Sequence, residues 1–112
     1  MVVNRIMEDS NGNFWIACHG QGIYLLTPEL QVKRHFLYRG DKVNDIPSNF
    51  IWTLIQDHNG VIWIGSDGEG LIRFDVEENK FTRMSGAEKT AITDKTVYSL
   101  YCDADNNIWI VS

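Results

Sequence analysis

The chain writes one phrase nearly three times. In its fullest form the phrase is Asp57-His58-Asn59-Gly60-Val61-Ile62-Trp63-Ile64-Gly65-Ser66-Asp67-Gly68-Glu69-Gly70-Leu71. It stands 48 residues earlier as Asp9-Ser10-Asn11-Gly12-Asn13-Phe14-Trp15-Ile16-Ala17-Cys18-His19-Gly20-Gln21-Gly22-Ile23, and 46 residues later as Asp103-Ala104-Asp105-Asn106-Asn107-Ile108-Trp109-Ile110. Self-similarity at a period of roughly 40 to 50 residues marks a stacked or radial array. In such an array each unit buries its apolar surface only against its neighbours.

Each repeat breaks into short apolar stretches separated by turn residues, the pattern of strands and hairpins. In the second repeat the strands are expected over about Phe50 to Gln56, Val61 to Ser66, Leu71 to Asp75 and Lys80 to Met84. The first repeat matches them with Val2 to Glu8, Asn13 to Cys18, Ile23 to Thr27 and Val32 to Leu37, and the third offers only Thr96 to Cys102 and Asn107 to Val111. Helix is disfavoured because these stretches are short, β-branched and aromatic, and bounded by Asn and Gly. Asp-x-Asn-Gly between the first two strands is a turn with a mechanism. Asp and Asn bond to backbone two residues on, and Gly takes a left-handed conformation that Asn106 can also adopt.

Apolar residues on both faces of the strands require cover on both sides. The expected fold is therefore all-β, a β-propeller fragment of four-stranded antiparallel blades: two complete blades plus the first two strands of a third. Blade 1 is placed at about 1–40, blade 2 at about 49–86 and the half blade at about 95–112. Ile46-Pro47-Ser48-Asn49 and Ile92-Thr93-Asp94-Lys95 occupy equivalent places in the long connections, each Ile serving as a plug before the next blade. Bare terminal faces call for remaining blades of the same chain, with a homo-oligomer as the alternative. Met1 opening straight into a strand pattern suggests a piece of something longer.

Composition excludes several functions. A net charge of −5 and an isoelectric point near 5.0 leave no basic surface for nucleic acid. No apolar run reaches membrane-spanning length and no secretory leader is visible. Cys18 and Cys102 stand at non-equivalent repeat positions, so neither a disulfide nor a metal spacing is supported. The Asp-x-Asn starts at Asp9, Asp57 and Asp103 lack the rest of a calcium loop. Gly65-Ser66-Asp67-Gly68-Glu69-Gly70 leads into a strand, not a helix, so it is no phosphate loop. Ser66 sits in no nucleophile elbow. His19, His35 and His58 occupy three different structural positions, without a ligand cluster. No cofactor, metal or catalytic residue is expected.

Trp15, Trp63 and Trp109 share one repeat position and are read, with Asp9, Gly12, Asp57, Gly60 and Asp103, as structural. Residues that differ between repeats in equivalent loops are the candidates for ligand binding. These are His19, Gln21, Asp67 and Glu69 in the loops between second and third strands, with Tyr38, Arg39 and Lys42 from the first long connection. Trp52, whose place is taken by Asn4 and Tyr98 in the other repeats, either packs within its blade or stacks on a sugar face.

The order Ile46-Pro47-Ser48-Asn49, Ile51, Leu54, Asp57, Gly60, Ile62-Trp63-Ile64-Gly65-Ser66, Gly68, Gly70-Leu71 resembles the two-component regulator propeller repeat. The resemblance covers nearly the whole chain. It departs at Ala17-Cys18, which replace Gly65-Ser66, and at Asn106, which replaces the turn glycine. The resemblance implies a periplasmic, non-enzymatic sensor segment of a bacterial hybrid two-component receptor, with an oligosaccharide as ligand and the kinase elsewhere in the polypeptide. A protein-interaction propeller without a small ligand is the alternative, and a propeller glycosidase or lyase ranks last, since Asp67 and Glu69 on one loop are not a catalytic pair.

Overall fold

The computed structural model describes residues 1–40, 45–84 and 95–112. Among these residues ten strands form three antiparallel sheets, and there is no helix. The first sheet has the order β1 (Val2–Glu8), β2 (Phe14–His19), β3 (Ile23–Leu26), β4 (Val32–Phe36). The second repeats it with β5 (Ile51–Gln56), β6 (Ile62–Ser66), β7 (Leu71–Asp75) and β8 (Lys80–Arg83). The third pairs β9 (Ser99–Cys102) with β10 (Ile108–Val111). The fold is the expected all-β arrangement of propeller blades.

Register shows how the sheets divide their faces. Leu54, Ile64 and Ile72 lie abreast, as do Ile62, Phe74 and Phe81, and this face of the second sheet packs on Trp15, Ala17, Ile23, Leu25 and Phe36 of the first. Side chains alternate along a strand, so the opposite face carries Ile55, Trp63 and Leu71. That face meets Val97, Leu100, Ile108 and Ile110. The second sheet is thus covered on both sides. Trp15, Phe36, Phe74 and Phe81 join across the first junction, with Trp15 stacked on Phe36 at 5.7 Å between ring centres and Phe74 tilted against Trp15 at 5.8 Å. Ile46 is buried in the same core. Its repeat equivalent Ile92 lies outside the described residues.

The first strands lie innermost: β1 touches β5 and β5 touches β9, whereas β4 and β8 pack chiefly on their own neighbours. Both complete inner strands carry a register shift, between Val3 and Arg5 in β1 and between Ile51 and Thr53 in β5. The residues at the shifts are Asn4 and Trp52. The third inner strand starts later than the sequence pattern suggests, at Ser99. Its opening residues serve the junction instead: Thr96 bridges Asp67, and the Val97 amide donates to the Ser66 carbonyl at 2.9 Å.

Candidate functional site

Two groups of repeat-related residues are assembled at opposite ends of the inner strands. At the hairpin end, Asp57 accepts from the amides of Asn59 and Val61 on Oδ1, at 2.9 and 3.0 Å, and from the indole N–H of Trp63 on Oδ2, at 2.8 Å. Asp9 does the same for Asn11, Asn13 and Trp15, and Asp103 for Asp105, Asn107 and Trp109. One carboxylate thereby closes the turn and fixes the ring that packs between blades. Gly12, Gly60 and Asn106 all take positive φ in these turns, at 81°, 85° and 63°. Burial of the three tryptophans falls along the chain: Trp15 is 2% exposed, Trp63 half-buried and Trp109 60% exposed. Trp109 faces away from the other two sheets.

Adjacent hairpins are tied by main chain. The Ser10 amide donates to Gln56 Oε1 at 2.8 Å, and the His58 amide to Asn106 Oδ1 at 2.9 Å. A hollow of about 410 Å³ opens here between Asp9, Gln56, Asp75 and Glu77. It does not contain the ligand candidates chosen from sequence, and Asp9 and Gln56 are already engaged in the bonds just described. Among the described residues no three His, Cys, Asp or Glu side chains gather as metal ligands.

At the loop end the structure brings some candidates together and separates others. His19 at the end of β2 lies 5.6 Å from Trp52 and 5.0 Å from Phe50, and Trp52 lies 5.5 Å from Tyr98, all measured between ring centres. Four aromatic rings, His19 and Trp52 on β2 and β5 and Phe50 and Tyr98 just ahead of β5 and β9, thus form an arc along the starts of the inner strands. Phe50 and Tyr98 are exposed, at 47% and 54%. The register shift places Trp52 in this arc, as bulges re-aim a side chain without ending the strand. Asn4 at the equivalent position instead donates its amide to the Ile51 carbonyl at 2.9 Å.

The charged candidates have partners within the chain. Asp67 Oδ1 accepts from the Thr96 hydroxyl at 3.1 Å, and Glu69 pairs with Arg83 of its own blade at 3.2 Å. Gln21 offers its main-chain carbonyl to His35 Nε2 at 2.6 Å, while His35 stacks on Tyr24. The Arg39 amide donates to Asp45 Oδ2 at 3.3 Å. Lys42 lies outside the described residues. Sequence reasoning missed Phe50 as a partner of His19, and it missed the Asp–Trp bond. A signal for that bond was present, since Asp and Trp recur six residues apart in every repeat.

The sequence profile of the two component regulator propeller matches residues 1–20, 45–68 and 91–112, more than half of the chain. The chain belongs to that family. Solved structures share the fold of this two component regulator propeller. They include the extracellular domain of the hybrid two component system BT3049 of B. thetaiotaomicron, at 24% identity and a TM-score of 0.72 over 96% of this chain and 13% of that one. The extracellular domain of BT4673 from the same organism follows at 21% identity and a TM-score of 0.77, over 97% of this chain and 15% of that one. PorZ, an essential surface component of the type-IX secretion system of Porphyromonas gingivalis, matches at 16% identity and a TM-score of 0.72, over 96% and 16%. This regulator propeller chain therefore spans about a seventh of each of those chains. No curated protein matches it. Among its described residues no helix is long and apolar enough to cross a membrane.

Proposed function

We propose that this segment belongs to the periplasmic sensory region of a two-component receptor and binds a glycan fragment at its loop end, without catalysing a reaction on it. The observation that carries the reading is the arc of His19, Phe50, Trp52 and Tyr98. Exposed aromatic faces flanked by polar groups suit the flat, C–H-rich face of a sugar ring, and ligand sites favour apolar walls with a few placed polar groups. Asp67 and Glu69 are held by Thr96 and Arg83, which supports a scaffold role over an acid–base one. The bare faces of the first and third sheets, where Ile6 and Trp109 are exposed, receive further blades of the same polypeptide, and a second copy is the alternative source.

Calorimetry against α-glucan, β-glucan and uronate oligosaccharides tests the reading. Binding by one class, weakened by Phe50→Ala and by Tyr98→Ala with unchanged far-UV dichroism, is the expected result. A folded chain that responds to none of them rules out the glycan.

A further inference from the structure

Four tryptophans stand in the chain, and three of their indole N–H groups are accounted for in one way. Trp15, Trp63 and Trp109 each donate to the aspartate six residues earlier at 2.8 Å. Trp52 differs. Its Nε1 is buried and has no acceptor among the described residues. Buried donors are seldom left unsatisfied, and an exception calls for an explanation such as a functional role or a bound water or ion.

The explanation lies in what the position does elsewhere. In β1 the residue at the register shift is Asn4, short enough for its amide to reach the Ile51 carbonyl of the next blade. Trp52 at the same shift in β5 makes no equivalent bond to Val97, so its donor is released from holding blades together. The ring lies between His19 and Tyr98, tilted 47° to one and 50° to the other. A pyranose resting on exposed Phe50 or Tyr98 turns its C–H face to the aromatic ring and carries its oxygens around the rim. An N–H brought to that rim would read one of them.

We propose that Trp52 Nε1 is the donor that positions a saccharide oxygen at the loop end, making Trp52 the specificity-determining residue of the site. This rests on the glycan reading above. The N–H edge is closed to solvent in this structure, so the ligand reaches it by displacing a neighbouring ring. His19 and Tyr98 are exposed, and neither side chain is hydrogen-bonded among the described residues, so either can turn without breaking such a bond. The required ligand chemistry is a ring with an apolar face and an acceptor oxygen at its edge, hydroxyl or ring ether.

The test is a ¹H–¹⁵N spectrum of the chain titrated with α-glucan, β-glucan and galacturonan tetrasaccharides, the Trp52 indole signal being assigned by its loss in Trp52→Phe. The free protein is expected to show this indole proton upfield of the other three. A binding saccharide moves it downfield, and Trp52→Phe, which keeps a ring but not the donor, binds about ten-fold more weakly or worse. Trp15→Phe serves as the control and leaves affinity unchanged. A saccharide that binds and shifts Phe50 and Tyr98 signals while the Trp52 indole stays in place, with Trp52→Phe binding as well as the parent, overturns the inference and leaves the glycan reading standing. An indole already downfield in the free protein overturns it as well. No response to any tetrasaccharide removes both.

Discussion

A single carboxylate does three jobs in each hairpin, and its two oxygens are not interchangeable. Asp57 Oδ1 serves two main-chain amides while Oδ2 serves the Trp63 indole. Asp57→Asn has one acceptor oxygen and one amino group, so either orientation sets a donor against a donor. Asp57→Asn is expected to cost about 1–2 kcal/mol, and Asp57→Ala, which loses all three bonds, about 2–4 kcal/mol. Urea midpoints measure both, and an Asn variant as stable as the parent would refute the division of labour. Asp103 gives the pH dependence. The Trp109 indole bond first, then the Asn107 amide, hold its carboxyl below the ordinary carboxylate range. A depressed folded-state pKa gives stability that is present above the unfolded pKa and lost as pH falls through the folded one. The third hairpin is therefore expected to loosen only at acid pH, below about 4. Trp109 fluorescence followed from neutral to acid should show the change, and Asp103→Asn should remove it. A change centred near neutrality would contradict the assignment.

Scale up to the strand and the constraints become contacts between blades. Gly65 in β6 stands where β2 carries Ala17, and the difference has a local cause. A Cβ on Gly65 would lie 2.7 Å from the Val97 carbonyl oxygen and 2.9 Å from both Val97 Cγ1 and Thr53 Cγ2. The nearest obstacle is backbone, which cannot swing aside as a side-chain tip can. Gly65→Ala is expected to destabilise by about 1–3 kcal/mol, the usual cost of overpacking. Its urea midpoint should fall with an unchanged slope, and an unchanged midpoint would mean that the third sheet is not held against β6 as described. The same scale shows what sequence could and could not tell. The hairpins were legible because Asp, Asn, Gly and Trp are demanded by geometry within ten residues of chain. The inner-strand bulges were not, since no residue type announces them, and without them Trp52 has no reason to meet His19. The charged loop residues are candidates in sequence because they vary between repeats. In the structure Asp67 and Glu69 have different local partners, Thr96 and Arg83.

For the molecule as a whole, what matters is how many faces of each sheet are covered. Among the described residues, only the second sheet has neighbours on both sides, with Ile62, Ile64 and Ile72 fully buried toward one and Leu71 nearly so toward the other. The first sheet leaves Val3, Ile6 and Val32 open, and the third leaves Tyr101, Trp109 and Val111 open. A one-dimensional stack loses stability toward its ends, because each unit draws most of its stability from its interfaces. Local opening free energies should then follow coverage and not strand length. Amide exchange of the chain is expected to be slowest in β5, β6 and β7, intermediate in β2 and β3, and fastest in β10, although β1 is the longest strand. Attaching cover to either bare face should slow exchange in the sheet beneath it before it affects the second sheet. Uniform protection across the three sheets would show one cooperative unit that needs no neighbours, and the case for further blades on the open faces would go with it.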